Sequence, residues 1–257
     1  MNGPSSTATT DDAFLGGALH VLQPQTGYRA GLDAVLLAAA VPAASGIRAL
    51  DAGAGVGVVG LAVACRMPGA HATLVERDPL LADLARANIA RNRLADRVNL
   101  IEADVVQPLG EVPELGARAE TFDCVLANPP YHTQGHGTAA RSAIKASANA
   151  MPEGSLDRWA RFLAAMARPG GCALLIHKAE ALPELIEALA SRFGGLLLLP
   201  VHPRPGSPAS RVIVCGTKGS RAPLQIRPGL VLHDGAGGFM PEVEAILRHG
   251  AGLDLQR

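Results

Sequence analysis

A chain of 257 residues with 48% hydrophobic content can bury one sizeable α/β core, and no internal repeat divides it. Its 23 basic residues are balanced by 23 acidic ones, so net charge alone does not mark a nucleic-acid-binding protein. No run approaches the roughly 18 apolar residues that span a bilayer, and the four cysteines are widely spaced with no Cys-x-x-Cys pair. These features argue against a membrane protein, a zinc site or a disulfide framework, and for a reducing, cytoplasmic setting.

Residues 1–13 are polar, with neither a basic start nor an apolar stretch, and read as a flexible tail, not a signal peptide. Residues 14–257 read as a single domain. The apolar stretch 34–41 suits a helix that covers a sheet. Strands are then expected over 47–52, 71–76, 98–102, 121–127 and 171–177, alternating with helices over 56–66, 79–92, 155–167 and 180–191. That alternation predicts an α/β fold with a Rossmann-like, doubly wound, mostly parallel sheet. Two further runs, 196–201 and 211–216, have only the proline-rich loop 203–208 between them, so they close the sheet as an antiparallel pair and bring it to seven strands.

The first strand runs into Asp51-Ala52-Gly53-Ala54-Gly55-Val56-Gly57-Val58-Val59-Gly60. Glycines permit a tight turn and close ligand approach, and the helix that follows offers free N–H donors at its start. Two ligands fit this pattern. Gly55-Val56-Gly57-Val58-Val59-Gly60 satisfies the dinucleotide pattern G-x-G-x-x-G, with Glu76 about twenty residues further on. Asp51, however, precedes Gly53 by two positions, and D-x-G-x-G-x-G is the S-adenosylmethionine loop. No diphosphate must be cradled there, so a carboxylate is tolerable near the ligand's cationic methionine end.

The second strand ends in Glu76-Arg77-Asp78-Pro79. A carboxylate at this point can accept from both ribose hydroxyls; Glu76 suits that role, while Asp78 can cap the helix that Pro79 opens. After the third strand, Asp104 is better placed than Glu102 to accept from the adenine amine. The fourth strand delivers Asn128-Pro129-Pro130-Tyr131. The prolines stiffen the turn, leave only carbonyl acceptors, and press Asn128 into an extended conformation. An exocyclic amine has two N–H donors, which Asn128 Oδ1 and the Pro129 carbonyl can accept, and Tyr131 offers a ring for a flat substrate. Taken alone, the tetrapeptide also suits an ordinary strand-to-turn transition; the glycine loop upstream favours chemistry.

These motifs, in this order and spacing, resemble the class I S-adenosylmethionine-dependent methyltransferases of the amino-methylating N-P-P-Y type, and among them the bacterial tRNA(Val) adenine-N6 methyltransferases. The resemblance covers roughly residues 20–250, with the segments 23–39 and 210–224 carrying the likeness to the tRNA enzymes. It implies a cofactor site built from Tyr28, Arg29, Asp33, Asp51, Gly53, Ala54, Gly55, Gly57, Glu76, Arg77, Asp104 and Asn128. It implies a catalytic group of Asn128, Pro129, Pro130 and Tyr131, with S-adenosylmethionine as methyl donor and tRNA as partner. Two departures stand out. His132 replaces a second aromatic residue, and 145–151 reads Lys-Ala-Ser-Ala-Asn-Ala-Met where relatives carry an Arg-His-Glu-like segment.

Other acceptors make the same demands on N-P-P-Y: the glutamine amide of a protein such as a release factor, and the N2 amine of a guanine in rRNA. Enzymes of the former kind usually carry a helical domain before the cofactor loop, and 46 residues precede the first strand here. A nicotinamide oxidoreductase and a non-catalytic RNA-binding module are the readings from other classes. His132 and His136 share a loop without a nearby Cys or carboxylate, so no metal is expected. Between Ala188 and His233 there is no acidic residue, whereas Arg192, Arg204, Arg211, Lys218, Arg221 and Arg227 are all positive. Such a stretch suits phosphate contacts or a solvated face, and Arg141 and Lys145 sit closer to the catalytic loop. Monomer and oligomer both stay open.

Overall fold

The computed structural model describes residues 8–133, 150–151 and 155–255. It begins with a hairpin, β1 (Thr9–Phe14) against β2 (Leu19–Pro24), paired antiparallel from Thr9↔Pro24 to Phe14↔Leu19. This corrects the expectation of a flexible tail over 9–13. The strand is polar because it is held by its partner's backbone and by distant charges, not by its own apolar residues. Arg91 pairs with Asp11 and Arg29 with Asp12, both at 2.6 Å.

Helix α1 (Leu32–Ala39) is buried along its last six residues, as its composition predicts. The central sheet follows: β3 (Arg48–Ala52), α2 (Val58–Arg66), β4 (His71–Glu76), α3 (Pro79–Arg91), β5 (Val98–Glu102), the single-turn α4 (Pro113–Gly116) and β6 (Phe122–Ala127). A short parallel pair, β7 (His132–Thr133) and β8 (Ala150–Met151), stands apart. Then come α5 (Ser155–Met166), β9 (Ala167–Lys178), α6 (Leu182–Ala190), β10 (Phe193–His202) and β11 (Arg211–Lys218). The two-residue strands β12 (Gln225–Ile226) and β13 (Leu230–Val231) and helix α7 (Pro241–His249) complete the chain.

Seven long strands lie in the order β5-β4-β3-β6-β9-β11-β10, and β12 and β13 add to the outer edge of β10. All neighbours from β5 to β9 are parallel, and β11 runs antiparallel to both β9 and β10. The last long strand is therefore inserted next to the sheet edge instead of forming it. A parallel sheet buried on both faces needs apolar residues of both parities. In β9, Leu174 and Ile176 pack with α1, α2 and α7, while Ala173 and Leu175 pack with α5 and α6. Residues 49–52 of β3 are 2% exposed or less, and Asp51 is the one charged residue among them.

The chain leaves β3 outward to β4 and β5, then returns to β6 on the other side of β3. In open α/β sheets the connecting loops part at such a reversal, which puts the expected ligand crevice at the carboxyl ends of β3 and β6.

Candidate active site

Four adjacent strands carry the predicted residues to one edge. Asn128 follows β6 directly, Asp51 and the glycine loop belong to β3, Glu76 is the last residue of β4, and Asp104 lies just beyond β5. Gly53, Gly55 and Gly57 have φ of 62°, 58° and 92°, the left-handed region that glycine enters without strain. Close neighbours also require their bare backbone. A β-carbon on Gly53 would overlap the ring of Trp159, and one on Gly55 the ring of Tyr28. The dihedral and the approach thus demand glycine independently.

The two carboxylates beside this loop are buried, Asp51 2% and Glu76 7% exposed. Asp51 Oδ2 accepts from Gly60 N, in the first turn of α2, at 2.9 Å. Glu76 Oε2 accepts from Gly55 N at 2.7 Å, and Oε1 from Arg77 N at 2.9 Å and Asp78 N at 2.8 Å. A carboxylate has about four acceptor positions. The backbone takes three of those on Glu76, leaving room for one ligand hydroxyl where the sequence suggested two. Burial, opposed by the Gly60 bond and reinforced by the Glu76 charge, pushes the Asp51 carboxyl up to about 7. Burial and the same two carboxylates push the Tyr28 phenol up as well.

Asp78 caps α3, accepting from Leu80 N at 2.9 Å and Leu81 N at 3.2 Å. Asp104 pairs with Arg77 at 3.0 Å and accepts from Val106 N at 3.0 Å. Arg29 is turned away from the glycine loop. Its guanidinium donates to Thr10 Oγ1, the Pro24 carbonyl and Asp12, tying the hairpin to the chain before α1.

Past β6, the Tyr131 hydroxyl lies 2.7 Å from Asn128 Oδ1 and 2.7 Å from Asp33 Oδ2. Asp33 is thus brought to the Asn-Pro-Pro-Tyr turn. Arg211, from β11, donates through Nε to the same Asp33 oxygen at 2.9 Å, and its guanidinium carbon stands 5.0 Å from the Tyr131 ring centre. His177, from β9, meets that ring edge-on at 5.0 Å. Burial lowers the His177 imidazole, against the carbonyls of Lys178 and Pro130. Neither Arg211 nor His177 stood out as a site residue in the sequence. Trp159, the only tryptophan in the chain, could have been found by that signal.

Three of the six positive residues in the acid-free stretch are neutralised internally: Arg192 by Asp157 at 2.9 Å, Arg211 by Asp33 at 2.9 Å and Lys218 by Glu120 at 2.7 Å. Arg204, Arg221 and Arg227 form no ion pair among the described residues. His136, Arg141 and Lys145 lie outside the described residues. Among the described residues, no group of three or more His, Cys, Asp or Glu side chains is placed to hold a metal ion. No described helix is long and apolar enough to cross a membrane.

An open, doubly wound sheet with an inserted antiparallel strand and a glycine loop at the reversal of strand order defines the class I methyltransferase fold. Residues 30–157 match the methyltransferase small domain family. A tRNA1(Val) (adenine(37)-N6)-methyltransferase of Shewanella loihica is 32% identical over 174 residues, 66% of this chain and 68% of that protein. One from Porphyromonas gingivalis is 29% identical over 231 residues, 85% of this chain and 87% of that protein. A release factor glutamine methyltransferase of Gloeobacter violaceus is 33% identical over 159 residues, covering 58% of this chain and 53% of its own. Among solved structures, one described as a predicted O-methyltransferase from Agrobacterium tumefaciens superposes with a TM-score of 0.73 at 34% identity, over 86% of this chain and 98% of that one. A Thermus thermophilus 16S rRNA N2 G1207 methyltransferase in complex with AdoMet and guanosine gives 0.55 at 25% identity, over 84% and 51%.

The chain belongs to the methyltransferase small domain family and is an S-adenosylmethionine-dependent N-methyltransferase. The dinucleotide reading of its glycines falls away. The crevice suits the cofactor on its own physics. Asp51 and Glu76 are buried with only backbone N–H partners among the described residues, so the pocket is short of positive charge. A ligand with a sulfonium and an ammonium group supplies it.

Proposed function

We propose that this protein methylates the exocyclic N6 amine of an adenine in tRNA. The observation that carries the reading is the placement of Asn128 immediately after β6, across the strand-order reversal from the glycine loop of β3. A planar NH2 held there meets the Asn128 amide oxygen and the Pro129 carbonyl, which accept its two hydrogens and draw the nitrogen lone pair out of ring conjugation. When bound, S-adenosylmethionine supplies a methyl group already activated by its positive sulfur. The protein's own work is therefore positioning and electrostatics. The adenine leaves its stack at a cost of a few kcal/mol. Stacking on Tyr131 returns about 1–3 kcal/mol.

The names of the tRNA relatives favour adenine in tRNA, and the two described above align over 68% and 87% of their own length. The release-factor relative aligns over 53% of its length. A glutamine amide is the second reading, since its planar NH2 would sit against Asn128 in the same way. The test is transfer from radiolabelled S-adenosylmethionine to unmodified bulk tRNA and rRNA, and separately to purified release factors. Label in tRNA that digests to N6-methyladenosine is the expected result. Label in protein moves the assignment to glutamine, and label in rRNA as N2-methylguanosine moves it to guanine.

A further inference from the structure

The Tyr131 hydroxyl is 2.7 Å from Asp33 Oδ2 and 2.7 Å from the Asn128 amide atom that the structure places as Oδ1. A phenol has one hydrogen and can donate to only one of them. The Asp33 carboxylate is charged, and charge-assisted bonds are the stronger ones. Arg211 Nε, bonded to the same Asp33 oxygen at 2.9 Å, fixes the carboxylate in place. Burial, together with the Asp33 charge, keeps the phenol protonated, so its single hydrogen is always present. With that hydrogen given to Asp33, the contact to Asn128 is a bond only if Asn128 donates. A half-turn of an amide exchanges its oxygen and its NH2 within the same outline, and the surrounding network decides between them.

We propose that Asp33, backed by Arg211, acts through Tyr131 to turn the Asn128 amide so that its NH2 faces the tyrosine and its oxygen faces the acceptor amine. In the opposite orientation the amide oxygen would be occupied by Tyr131, and NH2 would meet NH2 across the reacting centre. Asp33 and Arg211 are positioning residues in this arrangement. They come from α1 and β11, 178 positions apart, and meet at the turn after β6. The inference rests on the reading of Asn128 as acceptor of the amine hydrogens.

The experiment measures kcat and KM with whichever acceptor pool takes label, plus calorimetric binding of S-adenosylmethionine, for Tyr131→Phe, Asp33→Asn, the double variant and Asn128→Ala. Tyr131→Phe keeps the ring, so KM for the acceptor should hold while kcat falls about tenfold, the worth of one oriented hydrogen bond. Asp33→Asn should fall similarly. The double variant should be no slower than the slower single one, because one amide orientation is lost only once. A role limited to folding would lower the melting temperature and leave the two losses multiplicative. Wild-type kcat in either single variant, or a multiplicative double variant, overturns the relay. Asn128→Ala separates the two levels. If it retains transfer, the reading of Asn128 fails and the relay with it; if it is inactive with cofactor binding intact while Tyr131→Phe is fully active, the relay alone fails.

Discussion

The ring of Tyr28 occupies the space that a β-carbon on Gly55 would need, with its Cζ 2.8 Å from that position. Gly55 also has φ of 58°, which costs an L-residue about 1–2 kcal/mol. Gly55→Ala should therefore weaken S-adenosylmethionine binding and lower stability together. Adding Tyr28→Ala removes the overlap but not the dihedral strain, so it should restore part of the stability. Full restoration in the double variant, read by denaturant unfolding, would show that the backbone conformation imposes no cost.

Asp51 gives a pH signature with a definite sign. Its carboxyl titrates near 3.8 when unfolded and at about 7 in the fold, so the native state binds the proton more tightly. Between roughly pH 4 and 7 the folded protein holds a proton that the unfolded chain has lost, and stability should fall as pH rises through that window, by a few kcal/mol in all. A cationic ligand favours the ionised form, so cofactor affinity should rise over the upper part of the same window and level off above it. Asp51→Asn should flatten both profiles. Unchanged slopes in that variant would place the titration on another group.

Gly60, in the first turn of α2, has ordinary helical backbone, yet a β-carbon there would overlap Cδ2 of Leu74 in β4 and stand 3.5 Å from the Asp51 side chain. Alanine is worth about 1 kcal/mol over glycine in an open helix. Here overpacking, typically about 1–3 kcal/mol, should win, and Gly60→Ala should destabilise. Leu74→Ala opens a cavity that the new methyl partly fills. Denaturant unfolding of both singles and the double should show coupling of about 0.5 kcal/mol or more, and strict additivity would rule out the contact.

What could be read from the sequence was whatever depends on local residue type. Glycine at 53, 55 and 57 answers a local dihedral demand, and Asp78 before Pro79 announces a helix cap that the structure forms. The strands showed because burial on both faces requires unbroken apolar runs. Relationships between distant charges did not show. Residues 9–13 look like tail because nothing nearby reveals that Arg91 and Arg29 will meet Asp11 and Asp12. Arg211 looked like a phosphate contact or part of a solvated face because its partner, Asp33, lies 178 positions away. Asp51 and Glu76 were legible as ligand-facing acids at strand ends beside a glycine loop, but not the share of their oxygens that backbone N–H groups would take.

Asn88 of α3 joins the hairpin to the glycine loop. It is fully buried, its Nδ2 donates to the carbonyls of Leu22 and Val56, both at 3.0 Å, and its Oδ1 accepts from Leu22 N at 2.7 Å. Asn88→Leu keeps the bulk and leaves those backbone groups without partners, at about 1–3 kcal/mol for each buried group left unsatisfied. The loss should not be uniform. β1 has no fully buried residue and pairs only with β2, so its amides should exchange with solvent well before the global unfolding of the sheet. Val56 lies inside the glycine loop, so cofactor affinity should drop in the same variant. Hydrogen exchange decides the matter: if the amides of β1 and β2 in Asn88→Leu stay as protected as those of β3, the hairpin is anchored instead by the aspartate–arginine pairs and by Asn92, whose side chain accepts from His20 N and donates to the His20 carbonyl.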